Sequence, residues 1–456
     1  MRPRLLRWDR GTLLLEGFPP DDVPEGFVFD TRVGLPRAPA IRYADVALDL
    51  HRRKIPYVDE ARAYANLDRE HARDRVPRGY QVDAVEAWVN AGRRGVIVLP
   101  TGAGKSFVAE LCIARAGRSA LIIAPTLDLV GQWYDQLRRA FGDPIGLLGG
   151  GHHEIEDITV STYDSAWMHA ERWGARFGLV VFDEVHHLPS ASYGVAAEAS
   201  IAPFRLGLTA TLERPDGLHK RLDSLVGPVV FRKEIGDLAG DFLAPYRTEV
   251  LRVHLSATDR TAYDAAVANW RGFVDEEGIY MGGASGWQNF LRACGRSTRG
   301  REAFRAWRRS RELLQGAPAK LRLLAELLAR HHDGRVIVFT NDNATVYELS
   351  RLLLVPAITH HTDVKERRAL LGAFSSGELP VLVTSRVLNE GVDVPAADVA
   401  IVLSGTATVR EHVQRLGRIL RPKEGKQAVL YELVVAESAE EKTSARRRDH
   451  GAYNPG

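Results

Sequence analysis

Short unbroken apolar runs alternate with longer helix-period stretches between residues 95 and 211. The first run is Gly95-Val96-Ile97-Val98-Leu99, and the spacing predicts strands at 95–99, 119–124, 158–161, 178–182 and 205–209. Runs without polar alternation suit strands buried on both faces, so the pattern predicts a parallel sheet covered by helices. The alternation resumes at Lys320, with helix 320–331, strand 336–339, helices 343–354 and 363–375, strands 381–384 and 399–402, and helix 409–418. Residues 212–318 break it and carry few strands. Residues 1–75 differ again. Strands at 11–17 and 27–30, a helix at 43–53 and a strand at 54–58 are punctuated by Pro19, Pro20 and Pro24. Residues 59–76 read as a polar linker. The stretch from Ala436 is charged, then basic at 446–448, and is expected to be disordered. The fold class is therefore α/β: two parallel-sheet domains, a small N-terminal α+β domain and a mostly helical insert. The boundaries are expected at 1–75, 76–240, 241–318, 319–436 and 437–456.

Composition narrows the class. A chain of 456 residues with 45% hydrophobic and 26% charged residues has the make-up of a soluble globular protein of ~3 domains. No apolar run approaches membrane-span length, and the basic start Met1–Trp8 is not followed by a signal-peptide core. The expected location is cytoplasmic. Cys112 and Cys294 alone form neither a disulfide framework nor a four-thiolate cluster. The net charge of +3 does not itself indicate nucleic acid. Its distribution says more. Arg292, Arg296, Arg299, Arg301, Arg305, Arg308, Arg309 and Arg311 crowd around Phe304 and Trp307. Arginines interleaved with aromatics can grip phosphates and stack on bases, which nominates Arg301, Arg305 and Arg308 as DNA contacts. A solvated helix face is the alternative.

The candidate chemistry starts at Thr101-Gly102-Ala103-Gly104-Lys105-Ser106, which lies between the strand 95–99 and a helix at 107–116. Strand, glycine turn and helix form the context of a phosphate-binding loop. Its glycines let backbone N–H groups face phosphate oxygens, Lys105 would neutralise β- and γ-phosphate charge, and the Ser106 hydroxyl would ligate Mg²⁺. Leu99 stands where the general motif has its first glycine. Asp183, at a strand end, could hold Mg²⁺, and Glu184 could deprotonate the attacking water. A helix cap is the other reading of that pair. His187 reads as structural. Arg78 and Gln81 precede the loop strand, and an amide there could read adenine; a helix cap is the alternative. Thr209 and Thr211 would link the nucleotide site to a moving partner domain. Arg418 and Arg421 lie three apart, and as arginine fingers they would act on the γ-phosphoryl group across an inter-domain cleft. Dipole-complementing arginines are the competing reading.

These motifs occur in a specific order: Gln81, the phosphate loop, Ala124-Pro125-Thr126, Ser161-Thr162-Tyr163, Asp183-Glu184-Val185-His186, Thr209-Ala210-Thr211, Phe339-Thr340-Asn341, the loop from Thr384 to Asp393, and Gln414–Arg421. The set resembles a superfamily 2 helicase core over residues 78–422. More closely, it resembles the XPB family of DNA repair helicases in its compact archaeal or bacterial form. Arg10-Gly11-Thr12, Phe29-Asp30-Thr31-Arg32 and Ile41-Arg42-Tyr43 are similar to that family's damage-recognition domain, and the insert is placed like its thumb. Leu208–Asp216 matches the segment carrying its Arg-Glu-Asp loop, with Pro215 in place of Glu. The resemblance implies two RecA-like domains and ATP-driven 3′-to-5′ movement on forked, bubble or damaged DNA, often with a nuclease partner. It implies nucleotide contacts from Gly391 and Asp393 and catalytic roles for Gln414, Arg418 and Arg421. It also implies DNA contacts from Pro125, Thr126, Ser161, Thr162, Arg214, Asp216, Thr340 and Thr384. Another superfamily 2 translocase such as a restriction motor subunit, an RNA helicase, or a non-enzymatic DNA-binding scaffold are the rival readings.

Overall fold

A computed structural model describes residues 3–72, 75–212, 214, 216–238, 246–281, 285–385, 397–403 and 428–448. The chain divides into two compact units, residues 1–234 and 235–456.

The first unit opens with alternating apolar residues, which build strands with one buried face. β1 (Leu5–Asp9) and β2 (Thr12–Glu16) pair antiparallel, with Leu6 opposite Leu15. β3 (Val28–Asp30), β4 (Leu35–Pro39) and β5 (Val58–Asp59) complete a sheet of order β3-β4-β2-β1-β5. Helix α1 (Tyr43–Arg52) presents Tyr43, Val46 and Leu50 at helical spacing to Leu6, Leu13 and Leu15. Ala175 and Ile201 from the following domain join the same core, which fixes the N-terminal sheet to it. The expected linker at 59–76 is not a free tether. Ala61 and Tyr64 are buried. The amides of Ala63, Leu67 and Ala72 donate to the carbonyls of Ala175, Gly117 and Ala140.

The unbroken apolar runs form the second sheet of this unit. Its strands are β6 (Arg94–Val98), β7 (Ala120–Ala124), β8 (Gly146–Gly149), β9 (His152–Glu154), β10 (Ile158–Thr162), β11 (Leu179–Asp183), β12 (Phe204–Thr209) and β13 (Val229–Arg232). The order is β13-β6-β12-β11-β7-β10-β8-β9, and all pairs are parallel except the β8–β9 hairpin. Helices α2 (Gly79–Asn90), α3 (Lys105–Ala116), α4 (Leu127–Phe141) and α5 (Tyr163–Met168) lie among these strands in the chain. Arg205 on β12 is fully buried, and its guanidinium donates to the carbonyls of Ala197, Ser200, Ala202 and Leu225. Burial draws its pKa down to about 9. Four carbonyl acceptors make such a buried cation tolerable.

The second unit is built on β14 (Tyr246–Val253), β15 (Val336–Phe339), β16 (Ala357–Ile358), β17 (Val381–Thr384), β18 (Val399–Val402) and β19 (Ala428–Val435). The order is β14-β19-β18-β15-β17-β16, with every pair parallel. β14 therefore belongs to this sheet and not to the insert expected over 241–318. The insert consists of α6 (Ala257–Glu276), α7 (Gly286–Arg296) and α8 (Thr298–Gln315), and α9 (Pro318–Arg330) follows it. Phe273, Phe290 and Ala303 form the insert's core, with Trp270, Phe304 and Trp307 packed against them.

The expected disordered tail needs correction as well. Ala439–Arg448 form a helix, α10. Lys320 is fully buried, and its ammonium donates to the Leu403 carbonyl at 2.9 Å and to both Glu440 oxygens at 2.8 and 2.7 Å. Glu441 pairs with Arg252 at 2.7 Å. The acidic residues of this segment neutralise cations of the body, which composition alone does not announce. Among the described residues no helix is long and apolar enough to cross a membrane.

Breaking a buried pair by removing one partner costs about 3–5 kcal/mol. Lys320→Ala is therefore expected to lower the stability of the second unit by about that amount in urea unfolding. A loss below about 1 kcal/mol would show that Glu440 finds solvent as easily as its lysine.

Candidate active site

β6, β12 and β11 lie side by side, and their carboxyl ends carry the candidate motifs. The Leu99 amide donates to the Thr209 carbonyl at 3.0 Å, so the phosphate loop starts hydrogen-bonded to the β12 end. Gly102 and Gly104 have φ of +88° and +81°, a region that favours glycine. A Cβ on Gly104 would stand 2.6 Å from Gln81 Nε2. The loop is held from the side by α2. The Tyr80 hydroxyl and Gln81 Nε2 both donate to the Ala103 carbonyl, at 2.7 and 3.0 Å. Gln81 Oε1 accepts from the Arg78 amide at 3.0 Å and closes the α2 cap. Gln81 thus does what the cap reading expected and, in addition, fixes the phosphate loop. Lys105 opens α3, and its Nζ donates to the Leu99 carbonyl at 3.3 Å. Ser106 follows in the first helical turn.

β11 ends in Asp183, which is buried. Its Oδ2 accepts from Trp133 Nε1 at 2.9 Å, its Oδ1 accepts from the Glu184 amide at 3.0 Å, and its carbonyl accepts from the Tyr163 hydroxyl at 3.0 Å. Burial pushes its carboxyl pKa up, against the Trp133 hydrogen bond and the Lys105 charge. Glu184 sits at φ +47°, a left-handed conformation that side chains rarely adopt and that marks local strain. Its Oε2 is buried, accepts no hydrogen bond, and lies 3.4 Å from His186 Nδ1. His186 Nδ1 is also 3.2 Å from Thr209 Oγ1. That hydroxyl gives its hydrogen to the Thr211 carbonyl at 2.7 Å, so Nδ1 is the donor to it. His186 is fully buried, and it joins the acidic motif to the Thr209-Ala210-Thr211 turn. Among the described residues no three His, Cys, Asp or Glu side chains gather to hold a metal ion.

The comparisons with known proteins agree with this geometry. Residues 75–214 match the family described as type III restriction enzyme, res subunit, and residues 319–423 match the helicase conserved C-terminal domain. Residues 6–61 match the Xeroderma pigmentosum group B helicase damage recognition domain. The chain is 38% identical over 445 residues to a DNA 3′-5′ translocase XPB2 of Sulfurisphaera tokodaii, covering 97% of this chain and 99% of the relative. The chain belongs to the XPB family of DNA helicases. An XPB helicase of Kineococcus radiotolerans is 33% identical over 81% of this chain and 62% of its own length. The helicase domain of Pyrococcus furiosus Hef shares the fold, with a TM-score of 0.55 at 21% identity, covering 82% of this chain and 98% of that one. Two RecA-like domains, a damage-recognition domain and an ATP-dependent helicase core follow from membership.

The XPB motifs expected to touch DNA are placed unevenly. Thr126 Oγ1 caps α4 by accepting from the Leu129 amide, and Thr162 Oγ1 caps α5 by accepting from the Ser165 amide. Pro125 is half-buried beside the first cap. Ser161, Thr340 and Thr384 are fully buried. Their hydroxyls donate to the carbonyls of Thr162, Asp342 and Ile358. Without a strand present, each of these three hydroxyls is engaged with a main-chain carbonyl. Arg214 forks onto Asp216 at 3.0 and 2.6 Å and also donates to the His186 carbonyl. The guanidinium holds the Asp216 carboxyl down at about 2. Arg301, Arg305 and Arg308 are exposed on α8, at helical spacing. Phe304 and Trp307, expected as base-stacking rings, stack on one another at 15° within the insert's apolar cluster. Gly391, Asp393, Gln414, Arg418, Arg421 and Pro215 lie outside the described residues.

Tyr80 and Trp133 were not legible as site residues, and Tyr163 and His186 were legible only as members of motifs, without a role of their own. Aromatics at buried helix positions read as core, and only the hydrogen bonds distinguish these from packing. At Gly104 a side chain would meet both Gln81 and an unfavourable φ. Gly104→Ala is therefore expected to weaken nucleotide binding by at least tenfold while the unfolding midpoint moves by only a few degrees, a strain of about 1–3 kcal/mol. Calorimetric titration with ATP beside thermal unfolding checks it; unchanged affinity would contradict the loop geometry.

Proposed function

We propose that this XPB-family chain is an ATP-driven DNA translocase and helicase with 3′-to-5′ polarity, acting in the cytoplasm on forked, bubble or damaged DNA during repair. The observation that carries the reading is the hydrogen-bonded cluster of phosphate loop, Asp183-Glu184, His186 and Thr209 at neighbouring strand ends. A phosphate loop and an acidic pair on one sheet edge are what phosphoryl transfer to water requires. The damage-recognition domain argues for repair over a restriction motor, and the presence of Lys105, Ser106, Asp183 and Glu184 together argues against a relic nucleotide site.

In this reading the loop amides from Thr101 to Ser106, with Ala103 among them, cradle the phosphates, and Lys105 neutralises their charge. Glu184 Oε2, which accepts no hydrogen bond and has His186 Nδ1 3.4 Å away, is the base that takes a proton from the attacking water. The chemistry of Ser106 and Asp183, a hydroxyl and a buried carboxylate, fits Mg²⁺, which supplies charge to the β- and γ-phosphate oxygens when bound. Arg78, Gly391 and Asp393 contact nucleotide, Gln414 assists catalysis, and Arg418 and Arg421 stabilise charge on the transferring phosphoryl group. Arg301, Arg305 and Arg308 hold DNA phosphates, and Arg214 and Asp216 meet DNA only when their mutual pair opens. Backbone contact dominates, so little base readout is expected. A nuclease that cuts the opened strand is the fitting partner.

Glu184→Gln is expected to bind ATP within a few-fold of the parent and to hydrolyse it about 10²–10⁴-fold more slowly. Single-turnover hydrolysis measures this, and near-parental turnover would remove Glu184 from its role. Replacing Arg301, Arg305 and Arg308 together by Ala is expected to weaken DNA binding and to flatten log Kd against log salt by ~0.7–0.9 for each phosphate that is no longer neutralised. Fluorescence anisotropy at several salt concentrations reads the slope, and an unchanged slope would return these arginines to a solvated face.

A further inference from the structure

Asp183 receives hydrogen bonds from aromatic side chains of two different helices. Trp133 Nε1, in the second turn of α4, reaches the carboxylate at 2.9 Å, and the Tyr163 hydroxyl, at the start of α5, reaches the main-chain carbonyl at 3.0 Å. Both side chains are buried, at 2% and 1% exposure. Burial raises the Tyr163 pKa well above its ordinary value, so the hydroxyl stays a donor. Withdrawing either ring would leave a donor and an acceptor without partners in the interior, so ring and acceptor move together. The starts of these helices are also defined. α4 is capped by Thr126 and α5 by Thr162, two hydroxyls from the motifs expected to meet a DNA strand. Each helix therefore has a cap from a strand-contact motif at its start and a hydrogen-bond donor to Asp183 among its own residues. The Tyr163 bond also fixes the carbonyl that leads into the strained Glu184.

We propose that Trp133 and Tyr163 are positioning residues for Asp183, which make the placement of this carboxylate, and of Glu184 after it, depend on where α4 and α5 lie. The inference rests on the reading of Asp183 as the carboxylate that holds Mg²⁺ with nucleotide. Displacement of the helix starts by a bound strand would then reach the carboxylate through two hydrogen bonds. A partner that orients a metal-holding group typically changes metal affinity or activity by about 10–100-fold when removed.

The test uses the full chain with Trp133→Phe and Tyr163→Phe, which keep the ring and remove the donor, and with Asp183→Asn. Affinity for the β,γ-imido analogue of ATP is measured with and without Mg²⁺, alongside thermal unfolding and turnover with and without single-stranded DNA. Trp133→Phe is expected to lose about tenfold or more of the Mg²⁺-dependent gain in affinity, with Mg²⁺-free affinity unchanged. Tyr163→Phe is expected to lose less, because it holds the main chain, and both are expected to lower the ratio of DNA-stimulated to unstimulated turnover. In the Asp183→Asn background, Trp133→Phe is expected to add nothing, since the two act through one group. Loss of the Mg²⁺ gain in Asp183→Asn, with both folded aromatic variants retaining it, overturns the inference and leaves the Asp183 reading standing. Retention of that gain in Asp183→Asn overturns the reading and the inference with it. Where Trp133→Phe does not fold, Tyr163→Phe decides through its turnover ratio, and an unchanged ratio overturns the proposal.

Discussion

The catalytic geometry depends on one constraint: β6, β12 and β11 are consecutive neighbours in a parallel sheet. Parallel pairing brings the carboxyl ends of all three to one edge, with Thr209 opposite Val98 and Asp183 opposite Leu208. The phosphate loop, the acidic pair and the threonine turn leave from that edge. Sequence separation is irrelevant once the ladder forms, and the amide of Leu99 seals it by donating to Thr209. Ligand sites in open α/β sheets lie beyond the carboxyl ends of strands for this reason.

The polar groups around that edge are bound to one another before any ligand arrives. Gln81 and Tyr80 share the Ala103 carbonyl, His186 bridges Glu184 and Thr209, and Arg214 closes on Asp216 and on the His186 carbonyl. Preorganised donors lower the cost of reaching the reacting arrangement. The exceptions lie where chemistry is expected. Glu184 has a left-handed backbone, and its buried Oε2 accepts no hydrogen bond and faces His186 Nδ1 at 3.4 Å.

The sequence was most readable where burial is two-sided. The runs at 336–339, 381–384 and 399–402 are strands over those bounds, because unbroken apolar residues at that length have few other uses. β14 was missed because Tyr246–Val253 mixes Arg and Glu with apolar residues, as suits an edge strand that pairs only with β19. The tail helix was missed because its charges are explained by Lys320 and Arg252, which precede it by over a hundred residues. The phosphate loop and acidic pair were legible as motifs. The burial of Ser161, Thr340 and Thr384 was not, since a hydroxyl at a strand end reads the same whether it faces solvent or a carbonyl. The link of Trp133 and Tyr163 to Asp183 was invisible because it exists only through contacts made in the fold.

The central claim is that this sheet edge hydrolyses ATP and that a nucleic-acid strand controls it. Steady-state ATP turnover of the unaltered chain, titrated with single-stranded DNA, forked DNA and RNA in parallel, tests it most directly. The account predicts low turnover without nucleic acid and a saturable rise with DNA that RNA does not reproduce. Turnover that is absent in every arm, or that ignores DNA, would contradict it.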